Sequence, residues 1–310
     1  MSKKLLEPGL PRGFEDSFGK SLVIEKKIKE VIEKIFLRYG YTEIKTSPFE
    51  YSENIGGFLT DDLNDFSKDI FTFDDKDRKI SLRFDLSAPL ARVVSEKYLE
   101  FAFPFRRFQI AEVFRNETSK TGRGRYRSFL QGDFDQIFFG KVPAQANAEI
   151  LQIICDTMFD LKFQKDQFKI NIFNRKIIEG LLNDLKIKDE NQRFKVLRAI
   201  DKYDRIDENF IDLLQKERTD PISGDKITGA NLSNDQAKSI IKFLKLKDLK
   251  DLKLECKNQL QKEGIAELED IFEILKNNKY LDQVQIDSSK VRGLNYYDSV
   301  TFETTINFKV

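Results

Sequence analysis

The segment from Phe101 to Gly140 constrains the fold of this chain more than any other. It reads FAFPFRRFQIAEVFR, then a basic loop punctuated by glycine, then RSFLQGDFDQIFFG. Aromatic and β-branched residues on both sides of a polar, glycine-containing loop predict two antiparallel strands, with Asn116 to Tyr126 between them. From Arg106 to Arg127 there are seven bases, six of them arginine, against two acids, Glu112 and Glu117. The net charge over 310 residues is only +1, so there is no global basic field and any anion must be met locally. Arginine's planar fork suits phosphate. A solvated charged hairpin is the bland reading of the same stretch.

Elsewhere the period changes. Leu22, Ile28, Ile32, Ile35, Phe36 and Tyr39 recur at helical spacing, and Gly40 follows where a C′ glycine belongs. Tyr41 to Phe49 reads as a short strand closed by Pro48. Ile70 to Asp85 reads as a hairpin around DDKDRK, and Ser87 is a candidate cap for a helix from Ala88 to about Lys97. A helix is expected from Ala144 to about Leu161, a strand from Phe168 to Ile172 and a helix after Asn174. From about Asn183 to Tyr280, Lys, Asp and Glu dominate, with Leu and Ile at helical spacing, which predicts an all-helical insertion. Its Lys-rich stretch from 238 to 263 reads as solvated surface. Strand chemistry returns at Gln283–Ile286 and Leu294–Glu303. No internal repeat is visible.

Composition removes several chemistries. The chain has no histidine, so a Ser-His-Asp triad, a His-bearing zinc site and an imidazole acid–base pair are all excluded. Cys155 and Cys256 are far apart, lie in expected helices and form no CxxC, which favours buried thiols in a reducing cytosol. The start, MSKKLLEPGLPRGF, has no apolar h-region, and no run of 18 apolar residues occurs. A cytoplasmic protein without a membrane span is expected.

Five motifs then converge. VFRNETSKTGRGRYRSFLQGDFDQIF contains Phe-Arg-x-Glu followed by RYRSFxQ, and resembles motif 2 of class II aminoacyl-tRNA synthetases. VRGLNYY at Val291 to Tyr297 resembles the histidine-specific motif of the histidyl-tRNA synthetase family, and LRFDLSAPLAR at Leu82 to Arg92 resembles its substrate-amine segment. PRGFED near the start and VLRAIDKYDRI in the insertion fit the same family. Together they span nearly the whole chain.

The resemblance implies ATP-dependent activation of histidine to histidyl-adenylate and its transfer to tRNA(His), with Mg2+ as cofactor. The chemistry suits a histidine-free chain. Adenylation needs a bent triphosphate, an in-line carboxylate and positive charge at the α-phosphate, but no general base, because the attacking carboxylate is already ionised. By resemblance, Arg115 and Arg292 would be the two catalytic arginines. Phe129 would stack on adenine, Glu117 would lie at the adenine amino edge, and Arg125 or Arg127 would meet the outer phosphates. Asp85 would bind the α-ammonium of histidine with Ser87 beside it, Gln131 and Asp135 would line the pocket, and Tyr297 would reach the imidazole. Local alternatives stand beside these roles. Asp85 would also serve as a helix cap, and Phe129 as strand core. Tyr296 and Tyr297 are adjacent on an expected strand and so face opposite ways, which makes one of them packing.

The implied fold is α+β, a class II synthetase-type antiparallel sheet flanked by helices with an inserted helical subdomain. Its expected divisions are 1–182 as catalytic core, 183–282 as insertion and 283–310 as the return to the core. Thr42 to Glu53 would serve as motif 1 at a homodimer interface. The family's Gly-Gly-Arg-Tyr-Asp segment, motif 3 and anticodon-binding domain are expected beyond Val310. The motif 2 loop is longer than the usual form, with Ser where Pro is common, and DSVTFE replaces the usual sequence after the tyrosines. The alternative is a non-catalytic relative serving as regulatory subunit of ATP phosphoribosyltransferase. An RNA-binding or scaffold module is a third reading, one that gives no reason to keep Asp85 and Asp135 as a cage.

Overall fold

The computed structural model describes residues 8–55, 70–116, 126–203, 210–219, 226–227, 229–291 and 297–307. Its contacts divide it into two units, Met1–Val142 and Pro143–Val310. In the first, helix α1 (Lys20–Arg38) stops as its sequence requires: Tyr39 closes the last turn, and Gly40 takes a left-handed φ of 77° that a side chain would resist. The strand expected at 41–49 is split into β1 (Thr42–Glu43) and β2 (Phe49–Tyr51). Pro48 lies between them and has no N–H for a ladder; its carbonyl accepts from the Arg83 N–H at 2.9 Å. Strands β3 (Thr72–Asp75) and β4 (Arg78–Leu82) flank the turn Lys76–Asp77, with Lys76 at φ 55°. Helix α2 spans Ser87–Lys97.

The long hairpin forms as expected. Strand β5 (Phe105–Phe114) pairs with β6 (Ser128–Ile137) along its whole length, from Phe105 opposite Ile137 to Phe114 opposite Ser128. β1 joins β5 in parallel, so the sheet β1-β5-β6 is mixed rather than purely antiparallel; β2-β4-β3 is antiparallel. Directly opposed residues share a face. One face of the hairpin packs Phe108 and Phe134 against Phe36 of α1, with ring centroids 5.2 and 4.7 Å apart. The other carries Arg107, Gln109, Ala111 and Val113 opposite Asp135, Asp133, Gln131 and Phe129.

The second unit begins with α3 (Ala144–Asp160), β7 (Phe168–Asn174), α4 (Arg175–Asp184) and α5 (Glu190–Ile200). It continues through α6 (Phe210–Gln215), β8 (Arg218–Thr219), β9 (Lys226–Ile227), α7 (Asn234–Leu244), α8 (Leu249–Glu255) and α9 (Gln259–Asn277), to β10 (Val284–Ile286) and β11 (Val300–Ile306). β7 is central, with β10 parallel on one side and β11 antiparallel on the other. Such a strand is covered on both faces, so Phe168, Ile170, Ile172 and Phe173 are fully buried and the polar Asn171 and Asn174 are buried with them. Asn174 ends it and starts α4, its side chain accepting the Lys176 N–H at 3.0 Å. Helices α4 and α9 approach through Gly180 and Gly264. A Cβ at either would fall within 2.7 Å of Gln261 or Ile177, so close packing requires both glycines.

Three expectations are modified here. The region 183–282 contains the short antiparallel pair β8–β9 and is therefore not all helical. Residues 143–182 group with the second unit, because α4 and β7 share its core with α9. Cys256 sits one residue past α8 rather than inside it. Both thiols are buried and free, and burial is the main cause that pushes Cys155 up to about 12 and Cys256 to about 11. They stay protonated and unreactive at neutral pH. Among the described residues, no helix is long and apolar enough to cross a membrane.

Candidate active site

The site in the first unit is assembled by strand parity. Phe129, Gln131, Asp133 and Asp135 recur every second residue on β6 and therefore project together from one face. Arg115 follows β5 and turns back over the same face. Its guanidinium lies 4.5 Å from the ring centre of Phe84 and 5.0 Å from that of Phe129. Its Nε donates to the Phe84 carbonyl at 3.3 Å, and its Nη2 donates to Gln131 Oε1 at 3.2 Å. Gln131 passes the contact on, Nε2 donating to Asp133 Oδ1 at 2.9 Å. Arg115, Phe129 and Gln131 are thus brought together.

At the other end of this face lie three carboxylates. Asp135 forms an ion pair with Arg107, whose side chain is fully buried. Arg107 Nη2 also donates to the Leu86 carbonyl at 3.2 Å, tying β5 to the start of α2. Burial is the largest influence on Asp135 and raises its pKa to about 6; Arg107 opposes that rise, while Asp133 and Asp85 add to it. Asp133 is likewise raised, chiefly by burial, with its bond to Gln131 and the charge of Arg107 opposing. Burial also lowers the Arg107 pKa, against the pull of Asp135, Asp133 and Asp85. Asp135, Asp133 and Asp85 all act on Arg107, so they form one acidic cradle around one guanidinium.

Of the two residues that the sequence offers as caps for α2, Ser87 and Asp85, the structure uses Asp85. Its Oδ1 accepts from the N–H groups of Ser87 at 3.1 Å and Ala88 at 2.9 Å, satisfying the first free donors of α2. Ser87 is the first helical residue and is exposed, because the aspartate two positions earlier already reaches back over the helix end. Capping and cradle membership coexist in Asp85, since only one of its oxygens is used by the helix.

The arginine-rich stretch divides in two. Arg106 donates to the Tyr39 carbonyl at 3.1 Å, and Arg107 is buried beneath the cradle, so neither is a surface phosphate contact. Arg127 lies at the mouth of the hairpin, 6.0 Å from the ring of Phe71. Its N–H donates to the Gly13 carbonyl and its carbonyl accepts from Arg115, so the chain Pro11–Phe14 borders the site. Glu117, Arg125, Arg292 and Tyr296 lie outside the described residues. Tyr297 is in the second unit, before β11 rather than on it, at a hollow of about 660 Å3 that Arg175, Lys176 and Arg193 also line.

Sequence reading missed Arg107, Asp133 and Phe84. Parity would have found Asp133, two residues from both Gln131 and Asp135. Antiparallel pairing across the hairpin would then have placed Arg107 opposite Asp135.

The family profile described as Histidyl-tRNA synthetase matches residues 13–306. Over 308 residues, 98% of the chain, the sequence is 50% identical to a histidine--tRNA ligase of Pelagibacter ubique (strain HTCC1062), covering 65% of that protein. The chain thus spans somewhat less than two thirds of that relative's length. A solved histidyl-tRNA synthetase from Nostoc sp. PCC 7120 superposes with a TM-score of 0.78 at 25% identity, over 97% of this chain and 66% of that one. An ATP phosphoribosyltransferase regulatory subunit/histidyl-tRNA synthetase from Bacillus halodurans shares the fold, with a TM-score of 0.76 at 20% identity over 98% of this chain and 74% of that one. With an α+β fold of the synthetase type and a profile match from residue 13 to residue 306, the chain belongs to the histidyl-tRNA synthetase family.

Proposed function

We propose that this chain carries the site for ATP-dependent activation of histidine to histidyl-adenylate, for transfer to tRNA(His). The observation that carries the reading is the single hairpin face on which Arg115, Phe129 and Gln131 adjoin the acidic cradle of Asp85, Asp133 and Asp135. One end of the face is suited to a phosphate, the other to an ammonium. A free amino acid spanning it would place its carboxylate near Arg115, where charge grows on the α-phosphate during attack. Phe129 supplies an aromatic face for adenine. Glu117, Arg125 and Arg127 are proposed for the adenine edge and outer phosphates, and Ser87 and Tyr297 for histidine. Mg2+ is proposed as the cofactor that accompanies the triphosphate. A cytoplasmic location is proposed on the family's role.

Amino-acid-dependent pyrophosphate–ATP exchange, run with all twenty amino acids, tests the reading. It is best measured on the chain and on a form carrying the C-terminal segment implied by the resemblance. Histidine alone is expected to drive exchange in the extended form. Exchange with another amino acid, or with none, would replace the synthetase reading with that of a regulatory relative. In the extended form, Arg292→Ala is expected to cut adenylation by about 10²–10³, the loss associated with one preorganised donor, with much smaller changes in histidine and ATP binding. Arg292→Lys should restore only part, since an ammonium keeps the charge without the fork.

A homodimer is proposed through Thr42 to Glu53 and its surroundings. Phe49 and Tyr51 in this segment are exposed, as are Val23, Ile24 and Ile28 on α1, an apolar surface of the kind that marks interfaces. Sedimentation at micromolar concentration should give a dimer; a clean monomer counts against this use of the segment.

A further inference from the structure

Arg107 reaches both halves of the acidic cradle. It pairs with Asp135 on β6 and donates to the carbonyl of Leu86, the residue after Asp85. Its Nε and Nη1, and Gln109 Nε2 beside it, are buried without a hydrogen-bond partner among the described residues. No other anion among those residues is hydrogen-bonded to the guanidinium in competition with Asp135. The groups that act on Asp135 are Arg107 from β5, Asp133 from β6 and Asp85 from the start of α2. Two of these three are negative, so without Arg107 the carboxyl would face only burial and repulsion.

We propose that Arg107 is a positioning residue for the amino-acid pocket, holding Asp135 aimed and ionised so that it accepts from a nitrogen group of the substrate. Asp133 is the opposing member of the device, weakening the charge on Asp135 while adding its own to the cradle. The proposal rests on the reading of this face as the histidine pocket. It assigns Arg107 and Asp133 no contact with the reacting atoms.

The sign follows from the charges. An ionised Asp135 accepts a substrate N–H, and a protonated one loses much of that capacity. Affinity for histidine should therefore fall as pH drops through the Asp135 midpoint, which lies at about 6. Removing the guanidinium raises that midpoint and brings the loss closer to neutrality. Removing the Asp133 charge lowers it.

The test uses the full chain, with Asp135 followed by carbon-13 NMR and L-histidine binding followed by calorimetry from pH 5.5 to 8.5. Arg107→Met should raise the Asp135 midpoint, Arg107→Lys should leave it nearer the parent value, and Asp133→Asn should lower it. Relative to the parent, Arg107→Met should bind histidine more weakly at pH 6.5, by up to about tenfold for every pH unit that the midpoint climbs, and should recover toward pH 8.5. Taking the ratio to the parent cancels the titration of the ligand's own imidazole. Equal weakening at every pH would overturn the proposal and make Arg107 a merely structural residue. So would an Asp135 midpoint that neither variant moves. If Arg107→Met does not fold, Asp133→Asn decides: a lowered midpoint with firmer binding at pH 6 supports the proposal, and an unchanged one overturns it. Should the midpoints move as expected while the parent binds no histidine, the charge pairing stands and the reading of the pocket falls.

Discussion

Among the described residues, nine hydrophobic positions are buried between Met1 and Val142, and thirty-five between Pro143 and Val310. Exposed large hydrophobic residues show the reverse among the described residues, with Leu254 and Ile306 in the second unit and the other fifteen in the first. Buried charge is also concentrated in the first unit, in Glu50, Arg83 and Arg107, whereas Arg175 is its only counterpart among the described residues of the second. The second unit is therefore organised around an apolar core centred on β7, α4 and α9. The first is organised around ion pairs and hydrogen bonds, with much of its apolar surface facing outward. One unit gains most from excluding water; the other spends much of its interior on placing charge.

The largest effect expected from this contrast is a cavity in the second unit. Phe173 is fully buried on β7 and meets Phe243 edge-on at 6.1 Å. Phe173→Ala should cost about 3–5 kcal/mol in urea unfolding. A loss below about 1 kcal/mol would show that this core is loosely packed and would break the comparison. In the first unit, the matching weak point is a charge pair. Glu50 is almost fully buried and receives three guanidinium contacts from Arg92, at 3.2, 3.0 and 2.8 Å. Arg92→Ala strands that carboxylate, and about 3 kcal/mol should be lost, measured by the same unfolding experiment. A neutral result would mean that water reaches Glu50, and the first unit would be less dependent on charge than its structure implies. The smallest effect sharpens the second half of the contrast. Lys242 and Glu255 pair at 3.0 Å on the surface of the second unit, with side chains 71% and 45% exposed. Lys242→Ala should change stability by about 0.2–1 kcal/mol, because this unit's surface charges do not carry its fold.

What could be read from the sequence follows the same division. In the second unit, period is sufficient for the helices: α3, α4 and α9 arise where Leu and Ile recur at helical spacing, and α4 starts after Asn174, which caps it. The long hairpin and the stop at Gly40 were equally clear, since each depends on local chemistry. The β8–β9 pair was not, because two-residue strands leave no periodic trace. In the site, Arg115, Phe129 and Gln131 were recognisable as a motif, and the structure brings them together. Arg107 was hidden in an Arg-Arg pair whose two members differ only in parity, so that one reaches the Tyr39 carbonyl and the other a buried carboxylate. The sequence leaves the cap at α2 open between Ser87 and Asp85 for a related reason. Hydroxyl and carboxylate two residues apart are both credible caps, and only the backbone path at Leu86 decides between them.

Gln131 joins two partners of opposite demand. Arg115 can only donate, and an ionised Asp133 can only accept, so the amide is fixed with its oxygen toward one and its nitrogen toward the other. A carboxylate at this position would suit Arg115 and repel Asp133; a lysine would do the opposite. An amide is the uncharged connector with unlike ends, and it gives the face a direction along which a zwitterion can be read, ammonium end first or carboxylate end first. An amino acid entering the wrong way round would bring its ammonium to the donor Arg115 and its carboxylate to the acceptors of the cradle, a mismatch at both ends at once. On the proposed function, the polarity of this amide would favour one orientation of the substrate, before any contact with the group that distinguishes one amino acid from another.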